Sequence, residues 1–289
     1  MITVRLKKHK YKIPMDWPEF TVENQSQFVR LCTVLDNFEK GLLPFEQFKV
    51  SITLAMLDIN PDKMRIPRKA DTLYENIFRI SKFLDFPFVL QPNEDGSSTA
   101  YIRISLFRNL LPKEYGYRLD VSPAGLVDCT LKAEQYVDTL SLTDLYTRGR
   151  SKDVLVKLCE TLYGTSMEFT KDEMIAVYYN FRGFLDWLHK LPQYSILFSR
   201  ASRRAGGESP LGLSSSIFSL SKSGYGTLKE IQDLDVFTYL GALAQMSIDS
   251  IRQLAAAGLK PVQIADKLNL PVSEVLPHVT DNDDYEHSV

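Results

Sequence analysis

The feature that most constrains the fold is a wide apolar stripe that follows residue 170. Thr170 and Glu173 form the Thr-x-x-Glu pattern of a helix-capping box. The apolar residues behind it recur at helical spacing and comprise Met174, Val177, Tyr178, Phe181, Phe184, Leu185 and Leu188. A stripe this wide has to be covered by other elements. We therefore expect a buried helix within a mainly helical protein.

The same apolar spacing predicts further helices on both sides of this one. They cover residues 22–40, 45–57, 70–84, 130–140, 151–163 and 227–243. Each of the four residues Thr21, Thr130, Ser151 and Thr227 can cap the start of a predicted helix. Helix content therefore dominates the prediction.

Strands are predicted for a smaller part of the chain. Residues 2–13 alternate apolar and polar side chains around a polar turn, which indicates a β-hairpin. Residues 86–90 and 101–107 flank Asn93-Glu94-Asp95-Gly96, where Asp-Gly suits a tight turn, and 117–121 is a further candidate strand. We expect one small antiparallel sheet made of the N-terminal hairpin and the strands near 86–121. The fold class is thus α+β, mainly α, with a helix-turn-helix-like C-terminal piece.

Residues 202–227 interrupt this pattern, because half of the 26 positions are Ser or Gly. Such a composition buries little apolar area and predicts a flexible loop. The loop is either a plain linker or a segment that orders on a partner. Its candidate partner-binding residues are Leu211, Leu213, Ile217, Phe218 and Leu220. The predicted organisation is a body at 1–201, the loop at 202–227, a C-terminal helical region at 228–280 and an acidic tail at 281–289.

Charge and cysteine content narrow the class of protein. Lys and Arg number 34 against 36 Asp and Glu, a balance that argues against a general nucleic-acid binder. The three cysteines Cys32, Cys129 and Cys159 have no paired spacing, which favours a reducing compartment over disulfides or zinc. No apolar run is long enough for a membrane span, and the N-terminus has no secretory pattern.

The sequence contains no familiar catalytic motif. It lacks a Walker phosphate loop, a dinucleotide-binding glycine pattern, a Gly-x-Ser-x-Gly elbow and a His-Glu-x-x-His pair. The four histidines, His9, His189, His278 and His287, are scattered along the chain. We therefore expect no catalytic, cofactor-binding or metal-binding residues and a protein that acts through contact with other proteins. An enzyme without familiar motifs is the remaining possibility.

Residues 251–275 resemble a helix-turn-helix. Ala265 occupies the position of a tight helix crossing, Asn269 the turn that requires positive φ, and Ser273 the start of the second helix. Residues 271–279 contain no Arg or Lys, and Glu274 would face phosphates. Two interpretations stay open: a shape used for packing or protein contact, and a DNA-binding element.

Three stretches of the chain carry a family resemblance. Residues 11–22, with the sequence YKIPMDWPEFTV, follow the predicted hairpin, and 139–164 and 236–240 contain further short phrases. Together they resemble small structural and tail-assembly proteins of tailed bacteriophages.

This resemblance implies a non-enzymatic morphogenesis protein, either chaperone-like or part of the virion. The implied partners are phage tail or head proteins, with homo-oligomers a further option, and the location is the host cytoplasm and the virion. The alternative function is a DNA-binding regulator that uses the C-terminal helix-turn-helix.

Overall fold

The computed structural model describes residues 1–6, 9–59, 70–113, 116–122, 124–165, 168–199 and 211–279. The chain divides into two compact units. Unit 1 comprises 1–128 and 151–186, and unit 2 comprises 129–150 and 187–289. These limits differ from the sequence-based ones, because residues 129–150 belong with the C-terminal helices. Local sequence patterns do not encode such long-range packing.

Helices dominate the described residues, which confirms the α+β, mainly α fold class. The helices are α1 (Gln25–Glu39), α2 (Phe45–Met56), α3 (Ala70–Ser81), α4 (Ala133–Gly149), α5 (Lys152–Tyr163), α6 (Lys171–Leu188), α7 (Ser195–Phe198), α8 (Leu211–Lys222), α9 (Leu228–Asp233), α10 (Val236–Ala256), α11 (Pro261–Leu268) and α12 (Val272–Val279). The strands are β1 (Ile2–Leu6), β2 (His9–Ile13), β3 (Phe88–Pro92), β4 (Ser98–Ile102), β5 (Leu119–Val121) and β6 (Val127–Cys129). No helix in the described ranges is both long and apolar enough to cross a membrane.

The strands form three separate two-stranded antiparallel ribbons within the described residues: β1–β2, β3–β4 and β5–β6. The two predicted hairpins are confirmed, and Gly96 has the positive φ of 80° that its turn requires. The prediction of one joined sheet is wrong. Alternation and turn residues specify which neighbouring strands pair locally, but not whether two hairpins meet.

The chain leaves β4 at Ile102 although residues 103–107 had been predicted to continue the strand. The backbone N–H of Leu106 donates to the Gly183 carbonyl (3.0 Å), and that of Leu110 donates to the Asn180 side chain (2.7 Å). Leu106 and Leu110 therefore satisfy their backbone N–H groups on α6 instead of on another strand. A Cβ at Gly183 would lie 2.6 Å from Ile104, so only glycine permits this approach.

Aromatic side chains fill much of the core of unit 1. Trp17, Phe20 and Phe28 are buried, and Phe20 lies 5.7 Å from each of the other two by ring centroid. The Trp17 indole N–H donates to the Arg103 carbonyl at 3.0 Å. That carbonyl faces Pro87 across the ribbon, and Pro87 has no N–H to offer it. The indole therefore supplies the missing donor at the base of the β3–β4 hairpin.

Helix α6 confirms the predicted buried stripe. The Glu173 carboxylate accepts from the Thr170 N–H at 2.8 Å, and the Glu173 N–H donates to the Thr170 hydroxyl at 3.3 Å, as the capping box requires. Every residue from Met174 to Phe181 is buried. A helix covered on all sides belongs to a protein interior.

In unit 2, the predicted single helix from 227 to 243 is wrong, because two helices cover it. The Thr227 capping box starts α9, which ends at Asp233. Asp235 then caps α10, its carboxylate accepting from the N–H groups of Phe237 and Thr238 at 3.0 Å each. The break allows the Val236 N–H to donate to the Leu131 carbonyl at 2.9 Å, ahead of α4. Helix α4 itself runs to Gly149, nine residues beyond the predicted end near 140.

Candidate protein-interaction site

Helix α8 lies inside the segment that the sequence predicted to be a flexible loop. Over residues 211–222 that prediction is corrected, and 202–210 lie outside the described residues. Ile217 and Leu220, three positions apart, point to one face and are buried, and α8 packs with α4, α9 and α10 of the same unit. Burial of this face offsets the weak helix preference of the many serines.

A buried polar contact also fixes α8. The Ser216 hydroxyl and the Tyr239 hydroxyl on α10 form a hydrogen bond. Burial raises the pKa of Tyr239, partly opposed by this hydrogen bond, so the phenol stays neutral and can donate to, or accept from, the Ser216 hydroxyl. One face of α8 is thereby committed to the interior of unit 2.

The five predicted partner-binding residues do not share one environment. Ile217 and Leu220 are in the core, so their assignment to a partner surface is corrected: their apolar area is already covered by unit 2. Phe218 is 62% exposed on the other side of α8. The side chains of Leu211 and Leu213 lie outside the described residues.

Two further large side chains are exposed just beyond Phe218. Tyr225 lies in the α8–α9 connection and Leu228 is the first residue of α9. We call Phe218, Tyr225 and Leu228 the α8–α9 surface. The sequence offers no signal for Tyr225 and Leu228, because an isolated apolar residue beside Gly226-Thr227 is equally compatible with burial.

The C-terminal end of unit 2 has the predicted helix-turn-helix geometry. Asn269 adopts a left-handed conformation with φ of 53° between α11 and α12. Residues buried in this part of the core are Ile196, Ala244, Ile251, Ile264, Ala265, Leu270 and Val275. Ala265 is thus buried as predicted, and α12 starts at Val272, one residue before Ser273.

Apolar side chains are more prominent than cations on the exposed surface of α11 and α12. Val262 on α11 and Leu276 on α12 are exposed, and α12 contains no Lys or Arg. The Glu274 carboxylate, which would repel phosphates in a DNA-binding element, accepts a hydrogen bond from the Ser195 hydroxyl at 2.8 Å. Ser195 starts α7 and is far from Glu274 in the sequence but lies beside it in unit 2.

One polar cluster of unit 1 joins α1 to α6. The Glu39 carboxylate accepts from the Tyr179 hydroxyl at 2.8 Å and from Arg182 Nη1 at 2.9 Å. Burial, with the neighbouring Glu39 charge, raises the pKa of Tyr179, so its hydroxyl remains a donor. The packing of α1 against α6 is therefore enough to explain where these three side chains lie.

A cleft of about 420 Å³ lies between α5 and the start of α6. Lysine, glutamate and apolar side chains line it: Lys152, Val156, Cys159, Glu160, Phe169 and Met174. Burial raises the pKa of Cys159 to about 12, and the thiolate is the reactive form. The thiol is therefore protonated at neutral pH. No group of three or more potential metal ligands occurs in the described part of the chain.

The fold defines a mainly α, α+β protein of two units with exposed apolar side chains on unit 2. No protein-family model, curated protein or solved structure matches this chain. A fold class of this breadth is compatible with many functions. The chemistry of the exposed residues is therefore the better guide to function.

Proposed function

We propose that this chain is a non-enzymatic protein that binds other proteins during assembly of a tailed bacteriophage. The exposure of Phe218 carries this proposal. A large aromatic ring stands in solvent on a helix whose opposite face is fixed in the core. The family resemblance of residues 11–22 supplies the kind of partner.

A partner that covers these side chains would gain binding free energy roughly in proportion to the apolar area removed from water. Burying a Phe side chain contributes about 1.5–3 kcal/mol. Aromatic anchors of this kind often dominate the binding energy of protein interfaces. Tyr225 and Leu228, further along the same segment, are also exposed and could be covered by a partner.

The proposed partners are tail or head proteins, met in the host cytoplasm, with the protein chaperone-like or retained in the virion. No cofactor has a part in this role. Binding through a few apolar side chains suits either outcome, since it needs only a complementary apolar patch on the partner.

The test compares Phe218→Ser with Leu145→Ser, a matched substitution on α4, where Leu145 is 53% exposed. Tagged protein is purified from cells that are producing particles, and the tail and head proteins recovered with it are quantified by mass spectrometry. We expect Phe218→Ser to reduce recovery by about tenfold or more, equivalent to about 1.4 kcal/mol. Leu145→Ser should retain the wild-type recovery. Equal recovery with both variants, or no phage protein with the wild type, would contradict the proposal.

A second candidate function is DNA binding by the C-terminal helix-turn-helix, which the left-handed turn at Asn269 favours. It requires cations near phosphates, and Lys260 and Lys267, at the two ends of α11, are the cations closest to the turn in the sequence. A mobility-shift titration at low salt should then show duplex binding that Lys260→Gln with Lys267→Gln weakens. Absence of a shift at high protein concentration would remove this candidate.

A further inference from the structure

The β3–β4 hairpin leaves a regular set of backbone groups on its outer edges. The Arg103 N–H donates to the Pro87 carbonyl (2.9 Å) and the Asn93 N–H donates to the Ser97 carbonyl (2.8 Å), which fixes the hydrogen-bonded register. The pairs between them alternate in type. The N–H and C=O groups of Ser98, Ala100 and Ile102 therefore point away from β3.

The two edges of this hairpin are not equivalent. On β3 the outward positions are Phe88, Leu90 and Pro92, and Pro92 has no N–H. On β4 all three outward positions keep both a donor and an acceptor. No other strand in the described ranges pairs with either edge. Of these two edges, β4 therefore keeps the full set of backbone donors and acceptors.

The β4 edge also lacks the usual protection against pairing. Natural edge strands commonly carry lysines, prolines, bulges or inward-pointing charges. Neither β3 nor β4 contains an ionisable aspartate, glutamate, lysine or arginine, and their five residue pairs are in register without a bulge. Leu90 and Tyr101 are also exposed on this hairpin.

We propose that β4 pairs antiparallel with β4 of a second copy of this chain, about a two-fold axis at Ala100. The outward positions are symmetric about Ala100, so Ser98 meets Ile102 of the second copy and Ala100 meets Ala100. Each hydrogen-bonded pair exchanges two bonds, and three pairs give about six. The result is a four-stranded sheet with strand order β3–β4–β4–β3.

Side chains fit this symmetric arrangement. On one face the central row reads Leu90, Ala100, Ala100 and Leu90, so the smallest side chain lies at the axis. On the other face Tyr101 lies opposite Thr99 of the second copy, an aromatic and β-branched pair of the kind that stabilises sheets. No like charges meet, since none are present. A second copy is favoured over a foreign strand because the edge is self-complementary.

The pairing is expected to be weak and concentration-dependent. A single strand pair covers less than the roughly 1,200 Å² of smaller specific interfaces. We therefore expect a dissociation constant of roughly 10 μM to 1 mM. It does not depend on the α8–α9 surface, so it can hold whether or not the proposed assembly role holds.

The experiment places the same charge at two distances from the axis. In Ala100→Lys, the substituted positions of the two copies are about 5.5 Å apart, as in a hydrogen-bonded pair. In Leu90→Lys, they are about 14 Å apart, three strand spacings, which exceeds the Debye length of about 8 Å. Association of the full chain is measured by analytical ultracentrifugation across that concentration range, with circular dichroism as the folding check.

We expect Ala100→Lys to weaken self-association by about tenfold or more and Leu90→Lys to change it little. An equimolar mixture of Ala100→Lys with Ala100→Glu should restore association, because opposite charges then meet at the axis. A general loss of folding would not be rescued by mixing. A wild-type chain that stays monomeric throughout overturns the proposal and leaves the edge to a foreign strand. Unaltered association of Ala100→Lys also overturns it.

Discussion

The two long hairpins of unit 1 have the same dimensions and opposite chemistry. In both β1–β2 and β3–β4, two five-residue strands pair in full antiparallel register. Residues 2–13 contain five Lys or Arg and no Asp or Glu. The strands β3 and β4 contain none of these four residue types. The β1–β2 ribbon is therefore cationic, whereas β3–β4 has uncharged strands joined by an acidic turn that contains Glu94 and Asp95.

The two ribbons differ in the side chains that they expose to water, since each has one buried residue among those described. In β1–β2, the register and the alternation of side chains place Thr3, Lys10 and Lys12 on one face, and Ile13 on the other face is buried. In β3–β4 the buried residue is Phe88, and Val89, Leu90 and Tyr101 are exposed. One ribbon therefore presents lysines to solvent, and the other presents apolar and aromatic side chains.

The largest expected effect is at Phe88, the buried strand residue of the β3–β4 hairpin. The Phe88 ring lies 5.3 Å from that of Phe45 and 5.8 Å from that of Phe48, by centroid. Phe88→Ala should lower the free energy of unfolding by about 3–5 kcal/mol. Chemical denaturation measures the loss, and hydrogen exchange at the Tyr101 amide reports whether the hairpin loosens.

Val89→Ala is the matched control, because Val89 is the neighbouring residue on β3 and is 37% exposed. It should cost less than about 1 kcal/mol. Equal losses for the two variants would mean that the hairpin is not held by Phe88, and the contrast between the ribbons would have to be abandoned.

The sequence predicted the parts of the fold that depend on neighbours in the chain. Both hairpins, the Thr170–Glu173 capping box and the left-handed Asn269 are encoded by residues a few positions apart. Each follows from alternation, from a cap or from a conformational preference that acts locally. These predictions needed no knowledge of distant contacts.

The parts that the sequence did not predict depend on distant residues. Asn180 and Gly183 draw the segment that follows β4 away from the strand, although they lie about seventy residues further along the chain. Helix α8 forms in a Ser-rich segment because Ile217 and Leu220 are buried against other helices. Amino-acid composition describes the properties of the unfolded chain, but it does not give the apolar area that tertiary packing will bury.

The candidate site shows the same limit. Phe218 was among the residues predicted from the sequence, and it is the one described member of that set that is exposed. Apolar character alone cannot separate Phe218 from Ile217, its neighbour in the chain. Only the direction of the helix face, set by packing, distinguishes the exposed Phe218 from the buried Ile217.

A smaller effect is expected on the cationic hairpin. Lys10 lies directly opposite Arg5 in the register, and like charges in that position destabilise a ribbon. Lys10→Glu should therefore raise the free energy of unfolding by roughly 0.2–1 kcal/mol. Denaturation at low and at high salt measures the gain, which should shrink as salt screens the pair.

Lys12→Glu serves as the control, because Thr3 and not a charged residue lies opposite Lys12. A gain that is the same for both lysines, or that does not respond to salt, would show that net charge matters more than the cross-strand pair. The cationic face would then be a general surface property and not a feature of register.

The smallest effect concerns the acidic turn of the β3–β4 hairpin. Hydrogen bonds from the Ser97 hydroxyl (2.6 Å) and the Ser97 N–H (2.9 Å) hold the pKa of the Asp95 carboxyl below its ordinary value. A depressed pKa in the folded state means that the ionised carboxylate stabilises the turn at pH values above the ordinary pKa. This stabilisation is lost as the pH falls through the folded value.

Ser97→Ala removes the hydroxyl donor, so we expect the pKa of Asp95 to rise toward its ordinary value in a carboxyl titration followed by NMR. The acid-induced loosening of the turn should become weaker, because less of the stabilisation remains to be lost. The cationic hairpin is an internal control, since residues 2–13 contain no Asp or Glu to titrate in this range. An unchanged Asp95 titration would mean that the backbone bond alone fixes the carboxylate. A parallel response in both hairpins would point to a change in the whole unit and not in this turn.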